Sequence, residues 1–174
     1  MTEINSTSKS GFHWPSPLRI WVIVAVIFAV CVIVAVFAYK AAWEKMLRLD
    51  CQSNLKQIGL LCREYAAEHD GRFPSTWVEL NLVKDDANLV RLFRCPSTHH
   101  EIGIWTQVDL WSDYRLLPGR TTNNSPDRIL ALESLGNHGS IGANVLFVDG
   151  RTQWWPVSRL LGTASEIATN NVTK

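Results

Sequence analysis

The sequence predicts an α+β protein in which a single N-terminal transmembrane helix continues into a domain made of a long helix packed on a small antiparallel sheet. Three observations predict it. Residues 20–39 form a run of 20 consecutive hydrophobic residues, an apolar stripe at helical spacing follows, and Asp149-Gly150 sits between two β-compatible segments near the C-terminus.

The chain has 174 residues, room for one ordinary domain plus an appendage. Lys+Arg number 17 and Asp+Glu 16, giving a formal charge of +1. That balance supplies no cationic field, so nucleic acid is not an expected partner. The hydrophobic share of 47% is unevenly spread; outside the apolar run it falls to ~40%, ordinary for a globular domain.

Twenty helical residues at ~1.5 Å each reach ~30 Å, the thickness of a bilayer's hydrocarbon core. In lipid a lone segment satisfies its backbone polar groups only as a helix, which overrides the modest helix propensity of its many Val and Ile residues. Arg19 and Lys40 bracket the run, and Trp14, Trp21, Tyr39 and Trp43 stand where amphipathic rings favour the interface. The lipid bilayer is therefore the first expected partner. The run exceeds the ~7–15 residues of a signal-peptide core, and Tyr39-Lys40-Ala41-Ala42-Trp43 offers no small-residue cleavage pattern, so the anchor is expected to be retained. Ala25 and Ala29 make a small-x3-small pair through which anchors would oligomerise. Residues 1–19, rich in Ser and Thr and carrying Pro15 and Pro17, are expected to be a disordered tail. Lys9 and Arg19 precede the span while Lys40, Lys45, Arg48 and Lys56 follow it, a bias that by itself would leave the domain in the cytoplasm.

Beyond the span, Leu47, Cys51, Leu55, Ile58, Cys62 and Tyr65 recur at steps of three and four and share one helix face. One helix is expected from Ile20 to about Asp70, stopped by Asp70-Gly71 and Pro74. The domain is expected over residues 40–157, with residues 158–174 as a C-terminal tail. Thr76-x-x-Glu79 has capping-box spacing for a short helix ending near Leu82, and residues 85–94 suit a second turn. Residues 112–116 and 128–133 are β-compatible. Asn144 to Val148, Asp149-Gly150 and Arg151 to Trp155 read as a hairpin with a two-residue type I′ turn. Pairing Val148 with Arg151 puts Val145, Phe147, Thr152 and Trp154 on one face, expected to pack on the helix stripe, and turns Trp155 away from it.

Several motifs in order carry a resemblance: Cys51-Gln-Ser-Asn54-Leu55-Lys56-Gln57-Ile58-Gly59, Tyr65, Gly71-Arg-Phe-Pro74, Phe93-Arg-Cys95-Pro96-Ser97, and His138 followed by Ala143-Asn-Val-Leu-Phe-Val-Asp-Gly150. Across residues 45 to 156 the chain resembles planctomycete-type pseudopilin-like proteins, prepilin-type proteins with a C-terminal His, spacer, Asp-Gly signature. The resemblance implies the type IV pilin and type II secretion pseudopilin plan: an N-terminal helix half in the membrane, with a small antiparallel sheet on its outer half. It also implies residence in the inner (cytoplasmic) membrane with the domain extracytoplasmic, against the charge bias, which is weak for a single span followed by a large domain. The chain departs from the family at its leader. Gly11-Phe12 is present, but the fifth position after the cut is Ser16 instead of Glu, and prolines precede the span. The spacer between His138 and Asp149 is also one residue longer than is usual.

The resemblance brings Cys51 and Cys95 forward as disulfide candidates, a closure that would contribute roughly 3–4 kcal/mol. Cys62 shares the helix stripe and competes: it pairs with Cys95 instead or stays a buried thiol. Cys31 reads as a small hydrophobe in the span. His138, Asn144, Asp149 and Gly150 form the signature loop and turn, with Asp149 most simply a turn former. Cys95, His99, His100 and His138 are zinc-type ligands, and Asp109, Asp113, Glu133 and Asp149 calcium-type ones, but neither set has the paired spacing of a metal site, so no metal or cofactor is expected. No nucleophile elbow, zincin, Walker or dinucleotide motif is present, and a Ser140, His138, Asp149 triad rests on sequence proximity alone, so no enzyme is expected. Of the 8 tryptophans, Trp155 is the expected partner contact. The expected function is that of a pseudopilin-like structural or interaction protein whose partners are other pilin-like or secretion-system proteins. The alternative is a membrane-tethered extracytoplasmic binding module for a metal, glycan or envelope protein, with the pilin fold as scaffold.

Overall fold

A computed structural model of the chain describes residues 16–163. The Gly11-Phe12 pair, most of the expected N-terminal tail and the end of the C-terminal one lie outside the described residues. The chain divides into two compact units, Met1–Ala42 and Trp43–Lys174. Helix α1, Pro17–Glu68, runs through both.

In the first unit α1 begins at Pro17, where a missing N–H costs nothing, three residues before the expected start. Its large apolar side chains are solvent-exposed, among them Ile23, Phe28, Val34 and Phe37. This is the one helix among the described residues long and apolar enough to cross a membrane.

In the second unit α1 buries Cys51, Leu55, Ile58, Gly59, Cys62 and Ala66, the face marked out by the three-and-four spacing. It ends at a left-handed pair, Asp70 (φ 54°) and Gly71 (φ 76°), with Gly71 N–H donating back to Ala66 O at 2.8 Å. A Cβ on Gly71 would stand 2.5 Å from Thr122 Oγ1, so that position suits glycine twice over.

The chain then makes 3-10 turns at Trp77–Glu79 and Asn81–Val83, followed by short helices α2, Ala87–Arg91, and α3, Val108–Trp111. Asp86 caps α2 by accepting from Asn88 N–H and Leu89 N–H. The expected capping box does not form. Thr76 Oγ1 donates to the Glu79 carboxylate at 3.4 Å, and the segment closes as a 3-10 turn.

Strands β1, Tyr114–Leu116, β2, Ile129–Glu133, β3, Gly142–Phe147, and β4, Thr152–Pro156, form an antiparallel meander in that order. Leu146 pairs with Thr152 and Asn144 with Trp154. The hairpin loop is therefore three residues, Val148-Asp149-Gly150, closed by Gly150 N–H to Phe147 O and Phe147 N–H to Arg151 O. Only Gly150 takes a positive φ (86°) there, as expected of a type I turn followed by a bulge residue. The expected pairing of Val148 with Arg151 is thus off by one, and a one-residue slip exchanges faces.

The consequence is a sheet buried on both sides. Leu146 and Val148 join Leu55, Ile58, Cys62, Phe73, Trp77 and Tyr114 in a core on the helix side. Val145 and Phe147, expected against the helix, instead share a second cluster with Leu117, Ile129, Trp155 and Leu160. That cluster is covered by α4, Val157–Gly162, which occupies the start of the expected C-terminal tail. Trp155, the expected partner contact, is 6% exposed: its ring meets Phe147 edge-on, Arg159 lies over it, and its N–H donates to Gln153. The sequence-based partner surface at Trp155 is in fact core.

Candidate functional site

The sheet's helix side carries an apolar part around Leu146 and a polar part around Glu133. Leu146 Cδ1 stands 2.8 Å from where a Cβ on Gly59 would be, so glycine lets helix and strand approach closely. Where Glu133 and Asn144 face the helix, the contact becomes a hydrogen-bonded node.

Glu133 ends β2 with a side chain wholly removed from solvent. Its Oε2 accepts from Asn144 N–H at 3.1 Å and Asn144 Nδ2 at 3.0 Å, while Oε1 accepts from Asn137 Nδ2 at 3.3 Å. His138 Nε2 lies 3.0 Å from Oε1, and its side chain is equally buried. Asn144 Nδ2 also donates to Arg48 O at 3.0 Å, tying β3 to α1. Burial raises the Glu133 carboxyl above its ordinary range, against the opposing pull of His138 and the Asn144 and Asn137 hydrogen bonds.

Cys51 on α1 and Cys95 are joined by a disulfide, with Cα atoms 5.4 Å apart. Cys62 is a buried free thiol whose pKa burial pushes up to about 12. Cys95 Sγ lies 3.6 Å from His138 Nε2 and 2.9 Å from Ser97 Oγ, and Ser97 Oγ donates to Asn137 O at 2.8 Å. Asp113 fixes the Cys95 loop from beneath, its Oδ2 accepting from Cys95 N–H and Thr98 Oγ1, each at 2.7 Å. Tyr114 OH donates to Cys51 O at 3.4 Å, and burial raises its pKa first, the Glu133 charge next. One face of His138 meets Trp154 edge-on with centroids 5.7 Å apart, and Arg48 lies over the Trp154 ring. A cleft of about 510 Å³ reaches this node, lined among others by Trp43, Arg48, Ser97, His99, His138 and Ile141.

The signature residues thus divide. His138 and Asn144 meet at Glu133, with Cys51 and Cys95 beside them. Asp149 and Gly150 form the hairpin loop, where Asp149 Oδ1 accepts from Arg151 N–H at 3.0 Å and Oδ2 pairs with Arg151 Nε at 3.2 Å. His138 is engaged by Glu133, and Ser140 is exposed at φ 60°, so a Ser140, His138, Asp149 triad has no geometric basis. His99 is exposed and His100 faces Asp113 at 3.7 Å. Among the described residues, the one group able to converge on a metal is Cys51, Cys95, Glu133 and His138, all buried, with ligand atoms within 4.8 Å of one another. Sequence reasoning named all four but kept them apart, Cys51 and Cys95 as a disulfide, His138 among zinc-type ligands and Glu133 among calcium-type ones. The signal for Glu133 was a lone carboxylate closing the apolar run Ile129-Leu-Ala-Leu132.

The long N-terminal apolar helix and the small antiparallel sheet are compatible with a pilin-like fold. Comparison with protein-family models, with curated proteins and with solved structures finds no match for this chain.

Proposed function

We propose that the chain is a membrane-anchored pseudopilin-like structural protein, held in the inner membrane by residues 20–39 with its domain extracytoplasmic, and acting by contact with other pilin-like or secretion-system subunits. The carrying observation is that one helix, α1, holds both an apolar, solvent-exposed span and the buried stripe Cys51, Leu55, Ile58 and Cys62 on which the sheet packs. The Cys51–Cys95 disulfide supports the extracytoplasmic side, since such bonds persist in oxidising compartments. The order of the Cys51, Cys95 and His138 to Gly150 motifs supports the pseudopilin reading. The convergence of His138 with both cysteines gives those motifs a common structural purpose: they bind the Cys95 loop, the β2–β3 loop and α1 into one node.

Photocrosslinking from residues of the span, in membranes of the native host, tests the assembly. Adducts to other prepilin-type subunits support the proposal. Adducts to lipid alone, from a chain that is monomeric in detergent, contradict it and favour a tethered binding module.

A further inference from the structure

We infer that Cys51, Cys95, Glu133 and His138 form a zinc site when the Cys51–Cys95 disulfide is reduced, so that one buried node has two closed forms, a disulfide and a metal centre. The inference rests on side-chain geometry and does not depend on the assembly proposed above.

A tetrahedral zinc ion with Zn–S of ~2.3 Å and Zn–N and Zn–O of ~2.0–2.2 Å holds its ligand atoms ~3.3–3.8 Å from one another. The four donor atoms here already lie within 4.8 Å of each other. The Cys95 Sγ to His138 Nε2 distance is 3.6 Å and the His138 Nε2 to Glu133 Oε1 distance 3.0 Å, both close to that spacing. The two sulfurs must move apart once their bond is cut, and donor pairs as far as 4.8 Å apart must close by up to about 1 Å to reach that spacing. Two thiolates, an imidazole and a carboxylate are a borderline-soft donor set that suits zinc over calcium or magnesium.

Two of the four ligands have the supports a metal ligand needs, Glu133 and Cys95, while His138 Nδ1 is buried without a hydrogen-bond partner. Glu133 is held by Asn144 and Asn137. Cys95 is held through its own N–H by Asp113, and Ser97 Oγ lies beside its sulfur. Such outer partners orient ligands and tune affinity. The cleft lined by Ser97 and His138 borders the site, whose His138 and Glu133 side chains are closed to solvent. Opening the site is balanced by thiol exchange: a dithiol reductant gives two electrons and two protons to the Cys51–Cys95 bond, becoming a cyclic disulfide and leaving two thiols. Zinc then displaces both thiol protons to solvent.

The full-length chain in detergent, reduced with a trialkylphosphine that becomes its oxide by taking oxygen from water, provides the test. After removal of excess reductant, zinc is titrated and the rate of alkylation of each cysteine is followed by mass spectrometry. One zinc per chain is expected, with Cys51 and Cys95 protected by ~10-fold or more and Cys62 unchanged. Cobalt in place of zinc should give a thiolate charge-transfer band that His138→Ala and Glu133→Gln each shift or abolish. Absence of zinc-dependent protection at Cys51 and Cys95 in the unmutated chain overturns the inference, as does an unaltered cobalt spectrum in both variants.

Discussion

His138 Nε2 stands 3.0 Å from Glu133 Oε1, and neither side chain reaches solvent. This pair connects the β2–β3 loop, the disulfide and, through Asn144, the helix backbone at Arg48. Changes of pH and redox state are therefore expected to act on the fold here.

Burial lifts the Glu133 carboxyl above its ordinary value of 4.5, so the folded state holds that proton more tightly than the unfolded chain does. The contribution of this group to stability is full below the ordinary carboxylate range and is lost as pH rises through the raised native pKa. In Glu133→Gln this dependence disappears. Melting temperatures measured from acid to neutral pH should show the variant gaining on the unmutated chain as pH increases; parallel curves would refute the assignment.

Trp155 lies in the second core, against Phe147 and Leu160. Trp155→Ala should cost ~3–5 kcal/mol in chemical denaturation. Leu161 on α4 is 64% exposed, and Leu161→Ala should change stability by no more than ~0.5 kcal/mol. A harmless Trp155→Ala would restore the surface role that the two-residue turn implied.

The Cys51–Cys95 bond joins positions 44 residues apart. In the chain-entropy picture a closure of that length stabilises by about 4 kcal/mol. Metal-free protein carrying Cys51→Ala and Cys95→Ala should lose stability of that order, and a reducing agent should destabilise the unmutated chain but not this variant.

Cys62 is enclosed by the helix-side core, and its thiol is pushed up to about 12 by burial. Almost no thiolate exists at mildly alkaline pH, so Cys62 should resist iodoacetamide in the folded protein. Its modification rate should track denaturant-induced unfolding; rapid labelling of native protein would show that the helix does not seat as described.

Features governed by local periodicity were legible in the sequence. The span and the Cys51, Leu55, Ile58, Cys62 stripe follow from helical spacing, and α1 stops at the left-handed pair Asp70-Gly71. The sheet's existence was legible from its turn residues, but its register was not. Asp149-Gly150 suits both a two-residue and a three-residue loop, and β3 is buried on both faces, so Asn144 to Val148 lacks the alternation that would have fixed the register. Helix α4 was missed because six residues with one buried side chain, Leu160, leave almost no periodic signal. The site was half legible. His138, Cys51 and Cys95 stood in recognisable motifs, whereas Glu133 joins them only through the pairing of β2 with β1 and β3, which no local pattern records.

The account rests on a helix that anchors the chain in a bilayer with the disulfide-bonded domain outside the cytoplasm. Protease added to sealed, right-side-out membrane vesicles of the native host measures this directly, with an antibody against residues 114–156 as the readout. The expected result is loss of that epitope while the membrane is intact. Protection until the vesicles are lysed would place the domain in the cytoplasm and contradict the account.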